Sequence, residues 1–98
     1  MEDNRMTFDM SLAPRNGYVI SIGTSEVNTE IEARAVTLFS RNGTYRRSVI
    51  KAYICMIFTG NIQDMEDKAL LEQDVKDFKA WGEKNHPEMN LSINIYWE

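Results

Sequence analysis

The residues able to do chemistry in this chain are few and scattered. His86 is the only histidine and Cys55 the only cysteine, so no His/Cys cluster of the kind a transition metal needs can form. His86 precedes Pro87 at a helix stop and reads as a solvated loop residue. A general base also needs a nucleophile and an orienting acid, and the sequence marks neither. Cys55 lies in the apolar run Ile54-Cys55-Met56-Ile57-Phe58 and reads as a small buried hydrophobe. The five glycines fall at positions 17, 23, 43, 60 and 82, with no spacing that would cradle a phosphate. No serine is flanked by glycines as in a nucleophile elbow. The expectation is a chain without catalysis, metal or cofactor.

Charge is more informative. Before Arg41 the acids Glu2, Asp3, Asp9, Glu26, Glu30 and Glu32 outnumber Arg5, Arg15 and Arg34. From Arg41 to Lys51 every charge is positive: Arg41, Arg46, Arg47 and Lys51, with Tyr45 among them. Beyond Lys51 nine acids face four lysines. Arginine and tyrosine are favoured in protein interfaces, and on a β-ribbon they can also hold phosphate and stack on a base. Arg41, Tyr45, Arg46, Arg47 and Lys51 are therefore the candidate partner-binding residues. The bland alternative is that these arginines pair with Glu30 and Glu32 across strands. A second candidate surface is an acidic helix face of Asp64, Glu66, Asp67, Asp74 and Asp77. Lys68, Lys76 and Lys79 interleave with it, and Glu72 and Lys76 form an i,i+4 pair, as on an ordinary solvated face.

These residues need elements to position them. Met6, Phe8, Met10 and Leu12 alternate with polar residues, and Tyr18, Ile20 and Ile22 alternate with Val19 and Ser21. With Ala13-Pro14-Arg15-Asn16-Gly17 as a turn, they predict a first hairpin. Residues 27–41 fit two periods. Val27, Thr29, Ile31, Ala33 and Ala35 alternate as in a strand. Thr29 with Glu32 resembles a capping box, and Ile31, Ala35, Leu38 and Phe39 share a helical face. The strand is preferred because Asn42-Gly43 follows, a strong hairpin signal. Tyr45 to Phe58 is rich in β-branched and aromatic residues but too long for one strand, so a bulge or bend should divide it. Its second half is apolar on both faces and should be central. Gln63 to Lys84 is the clear helix, with Leu71, Val75 and Phe78 on one face and Asn85-His86-Pro87 as its stop. Leu91, Ile93, Ile95 and Trp97 alternate as a last strand.

The prediction is one α+β domain over 1–98, with a mainly antiparallel sheet of about five strands in the order ββββαβ. One long helix should pack on one face. Ninety-eight residues hold one core. Apolar residues make up 43% and charged residues 27%, which suits a globular chain. The net charge of −4 argues against a general nucleic-acid binder. No stretch approaches the ~20 apolar residues of a membrane helix, and the polar start lacks a signal-peptide core. Together with the lone cysteine, this points to the cytoplasm. Size, acidity and the lack of motifs suit a small bacterial or phage accessory protein. Val19, Val36, Leu38, Tyr53, Cys55, Ile57 and Tyr96 place apolar groups on the face opposite the helix, which predicts a homodimer or an obligate partner there. The functional expectation is a protein-binding regulator, inhibitor or adaptor. The alternative is a nucleic-acid module using the basic hairpin.

Overall fold

The computed structural model describes residues 17–41, 43–62 and 64–97. Six elements follow in the order β1 (Gly17–Thr24), α1 (Thr29–Phe39), β2 (Gly43–Ile50), β3 (Tyr53–Asn61), α2 (Met65–Asn85) and β4 (Ser92–Trp97). A 3-10 turn over Pro87–Met89 links α2 to β4. The strands form one antiparallel sheet in the order β2-β3-β1-β4. The connections βαββαβ with that strand order are those of a split β-α-β, or ferredoxin-like, sheet.

The class is α+β as the sequence predicts, but the element list differs. Two helices pack on the sheet where one was expected, and the described residues hold four strands where about five were expected. The predicted strand over Met6–Leu12 lies outside the described residues.

The largest correction is residues 27–41, which form α1 and not a strand. Asn28 is its N-cap, and its side chain accepts a hydrogen bond from Ile31 N at 2.9 Å. Glu30 and Glu32 sit in the first turn, where acids complement the helix dipole. Ile31, Ala35 and Phe39 recur every four residues and are buried at 1% exposure or less. Ser40 stops the helix, with its N–H and Oγ both bonded to the Val36 carbonyl. Val36 and Leu38 therefore flank the core from α1 and do not belong to the opposite sheet face.

The expected hairpin at Asn42-Gly43 is also corrected. Arg41 follows the end of α1, and Gly43 opens β2. The hairpin lies instead at Lys51-Ala52, because Ile50 pairs with Tyr53 and leaves a two-residue turn. Lys51 adopts φ 58°, the left-handed region usually left to glycine or asparagine. This turn, and not a bulge, divides the long β-rich stretch. Gly43 serves a different purpose: a Cβ there would meet the Thr59 carbonyl and sit 2.6 Å from Gly60 Cα. Its bare backbone lets β2 close onto β3.

One face of the sheet carries both helices. Tyr18, Ile20 and Ile22 of β1, Ile54, Met56 and Phe58 of β3, and Ile93 of β4 meet Ile31, Ala35 and Phe39 of α1 and Leu71, Val75 and Phe78 of α2. Phe39 is the pivot, edge-on to both Phe58 (5.9 Å) and Phe78 (5.5 Å). Each such fully buried side chain stabilises the fold by roughly 1.5–3 kcal/mol. β3 is central, as expected, lying between β2 and β1.

Candidate functional site

The basic segment does not form one surface. Strand alternation turns Tyr45 and Arg47 toward the helices and Arg46 away from them. Tyr45 stacks on Phe58, with centroids 4.7 Å apart and planes at 12°. Its hydroxyl donates to Glu32 Oε2 at 2.5 Å, and Arg47 Nε approaches the same oxygen at 2.6 Å. Burial raises the Tyr45 pKa, and the Glu32 hydrogen bond and charge raise it further against the opposing effect of Arg47. Arg47, Tyr45 and Glu32 thus form a clamp that pins β2 to α1. Arg41 lies just before β2, at 3.9 Å from Asp74 of α2 and well exposed. Arg46 and Lys51 are exposed, Arg46 on the helix-free face and Lys51 on the turn.

The acidic residues of α2 divide as well. Asp64 is the N-cap, accepting from Asp67 N at 2.9 Å. Glu66 and Asp67 occupy the exposed first turn. Asp74 faces Arg41, and Asp77 accepts from Gln73 Nε2. Glu72 accepts a hydrogen bond from Trp97 Nε1 at 2.9 Å, with Lys68 Nζ 4.9 Å from the same ring's centroid.

Among the described residues one face of the sheet carries no helix, and its side chains have interface chemistry. It carries Thr44, Arg46, Ser48 and Ile50 from β2, and Tyr53, Cys55, Ile57 and Thr59 from β3. Val19, Ser21 and Gly23 come from β1, and Ser92, Asn94 and Tyr96 from β4. Tyr53 is 45% exposed, Tyr96 53% and Ile50 67%. The expected set Val19, Tyr53, Cys55, Ile57 and Tyr96 does share this face. Cys55 is half-buried, not sealed in the core, since among the described residues both helices pack on the other side of β3. The Tyr53 side chain lies across β1: a Cβ on Gly23 would overlap its hydroxyl and come within 3.2 Å of Ser92 Oγ. Gly23 therefore supplies the flat floor on which that ring rests.

His86 also departs from expectation. Its side chain is only 16% exposed. Asn28 Oδ1 is committed to Ile31 N, so the Asn28 amide NH2 faces His86 Nδ1 at 3.4 Å. Nε2–H then donates to Glu30 at 2.6 Å. The ring packs edge-on against Trp81, over which Arg34 sits at 4.1 Å. Its side-chain hydrogen-bond partners lie more than fifty residues away in the chain, which is why the local sequence shows only a loop histidine. Among the described residues its side-chain hydrogen-bond partners are an amide and a carboxylate, neither a nucleophile's hydroxyl or thiol.

Among the described residues no three His, Cys, Asp or Glu side chains gather as metal ligands, and no helix is long and apolar enough to cross a membrane. The chain matches no protein-family model, and no curated protein or solved structure is significantly similar to it.

Proposed function

We propose that this chain is a non-catalytic protein-binding module: a small cytoplasmic regulator, inhibitor or adaptor that acts by covering a partner's surface. The observation that carries this reading is the sheet face away from the helices, where Tyr53 stands about half exposed beside Ile50 at one corner and Tyr96 about half exposed at the opposite corner. Tyrosine and arginine are the residue types from which interface anchors are built, and Arg46 shares the face. The fold itself assigns no activity.

The decisive comparison is capture from a native lysate by wild type and by a Tyr53→Ala/Tyr96→Ala double variant. Loss of one aromatic anchor costs on the order of 2 kcal/mol. A discrete protein should therefore be retained by wild type and lost by the variant, with the far-ultraviolet spectrum unchanged. Equal capture by both proteins would remove the face from the interface. Sedimentation at micromolar concentration tests the homodimer form of the same reading, in which a second copy covers this face.

Nucleic acid is the second reading. A four-stranded sheet with exposed aromatics can stack unpaired bases, and Arg46 and Lys51 would supply phosphate contacts. The inward turn of Tyr45 and Arg47 removes two of its four expected contacts, Arg41, Tyr45, Arg46 and Arg47. Submicromolar binding of short RNA at physiological salt, lost on changing Tyr53, would place it first.

A further inference from the structure

We infer that β2 is a docking edge for an extended acidic segment of a partner protein, which adds to the sheet as a further strand. The inference rests on the protein-binding reading and names the partner's chemistry. Among the described residues β2 ends the strand order, and every residue of it except half-buried Tyr45 is exposed. Such an edge presents the N–H and C=O groups of alternate residues as a template for another strand. Main-chain bonds then supply affinity and side chains supply selectivity.

Charge selects the occupant. The segment from Arg41 to Lys51 holds four positive charges and no acid. A second copy fits poorly. Pairing β2 with itself antiparallel, in a register centred on the strand and keeping both sheets the same way up, sets Arg46 opposite Arg46 or Arg47 opposite Arg47. Like charges directly opposite are destabilising. An acidic residue facing Arg46 relieves this, and β-branched or apolar residues suit the positions facing exposed Val49 and Ile50. Arg47 is already held by Glu32, so selectivity falls on Arg46.

The test uses an array of octapeptides with one or two central acidic residues and varied β-branched flanks, with lysine replacing the acids as controls. Acidic members should bind and lysine members should not. Backbone N-methylation of a binding peptide should weaken it about tenfold or more at alternate positions and leave the intervening positions unaffected, the signature of strand pairing. Arg46→Glu should reverse the preference toward the lysine peptides. The inference is overturned if no member binds more tightly than about 1 mM, or if methylation has the same effect at every position. A lysate partner whose capture depends on Tyr53 and Tyr96 while the array stays silent would sink the edge and leave protein binding standing.

Discussion

At the scale of single residues, Tyr45 shows how position in a strand decides a side chain's role. Stacking on Phe58 and bonding to Glu32 make it part of the scaffold, although its neighbour Arg46 points the other way. Its raised pKa has a consequence at high pH. The folded-state value lies above the unfolded value of about 10, so the folded chain holds the phenol proton more tightly. The resulting stability is fully present below about pH 10 and is lost as the pH rises through the folded-state value. Tyr18, buried and bonded to the Phe39 carbonyl, acts in the same direction. Tyr45→Phe should lower stability at neutral pH by about 1 kcal/mol, the worth of the lost bond, and should flatten the alkaline decline. Urea unfolding at neutral pH and above pH 10 checks both. An identical alkaline slope in the variant would show that Tyr45 ionisation is not part of that decline.

At the scale of elements, the unambiguous patterns in the sequence became structure with little change. The helix read over Gln63 to Lys84 is α2, and the alternations of Tyr18–Ile22 and Leu91–Trp97 are β1 and β4. α1 was not resolvable locally, because Val27, Thr29, Ile31, Ala33 and Ala35 satisfy period two while Ile31, Ala35 and Phe39 satisfy the helical period. What decides is tertiary: β1 pairs with β3 and β4, and Phe39 has a pocket between Phe58 and Phe78 only if the segment is helical. The Lys51-Ala52 turn is not legible in the sequence, because neither residue is a turn former, whereas Asn42-Gly43 is. The candidate site was legible in part. The sidedness of Val19, Tyr53, Ile57 and Tyr96 followed from alternation, but Glu32's claim on Arg47 depended on α1 and could not be read. Lys51 at φ 58° also makes a prediction. A left-handed residue with a side chain costs roughly 1–2 kcal/mol, partly offset by the greater unfolded-state freedom of glycine. Lys51→Gly should therefore stabilise the chain by up to about 1 kcal/mol, and a thermal melt that falls would contradict the strain at this turn.

At the scale of the whole molecule, one corner closes the fold over long sequence distances. The end of β1, the start of α1 and the turn after α2 meet there. Ser25 N bonds to the Met89 carbonyl at 2.8 Å, and His86 bridges Asn28 and Glu30. Asn28 thus caps α1 and orients His86, so the two helices are tied at one point. His86→Ala should cost about 1–2 kcal/mol, since it removes two hydrogen bonds and the Trp81 contact, with Glu30 free to regain water. Combined with Asn28→Ala, the loss should be less than the sum of the two single losses, because each variant breaks their shared bond. Strict additivity in chemical denaturation would mean that the corner is not a coupled unit.

The two tryptophans give this architecture optical consequences. Trp81 of α2 lies beneath Arg34 of α1, and Trp97 of β4 lies beneath Lys68 of α2. Each indole therefore sits at a different seam, one between the helices and one between helix and sheet, with a cation over its face. A positive charge beside an indole alters the energy of its excited state, so separation of either seam changes the emission of one ring and spares the other. Helix–helix opening acts on the Trp81 ring, and opening of α2 from β4 acts on the Trp97 ring.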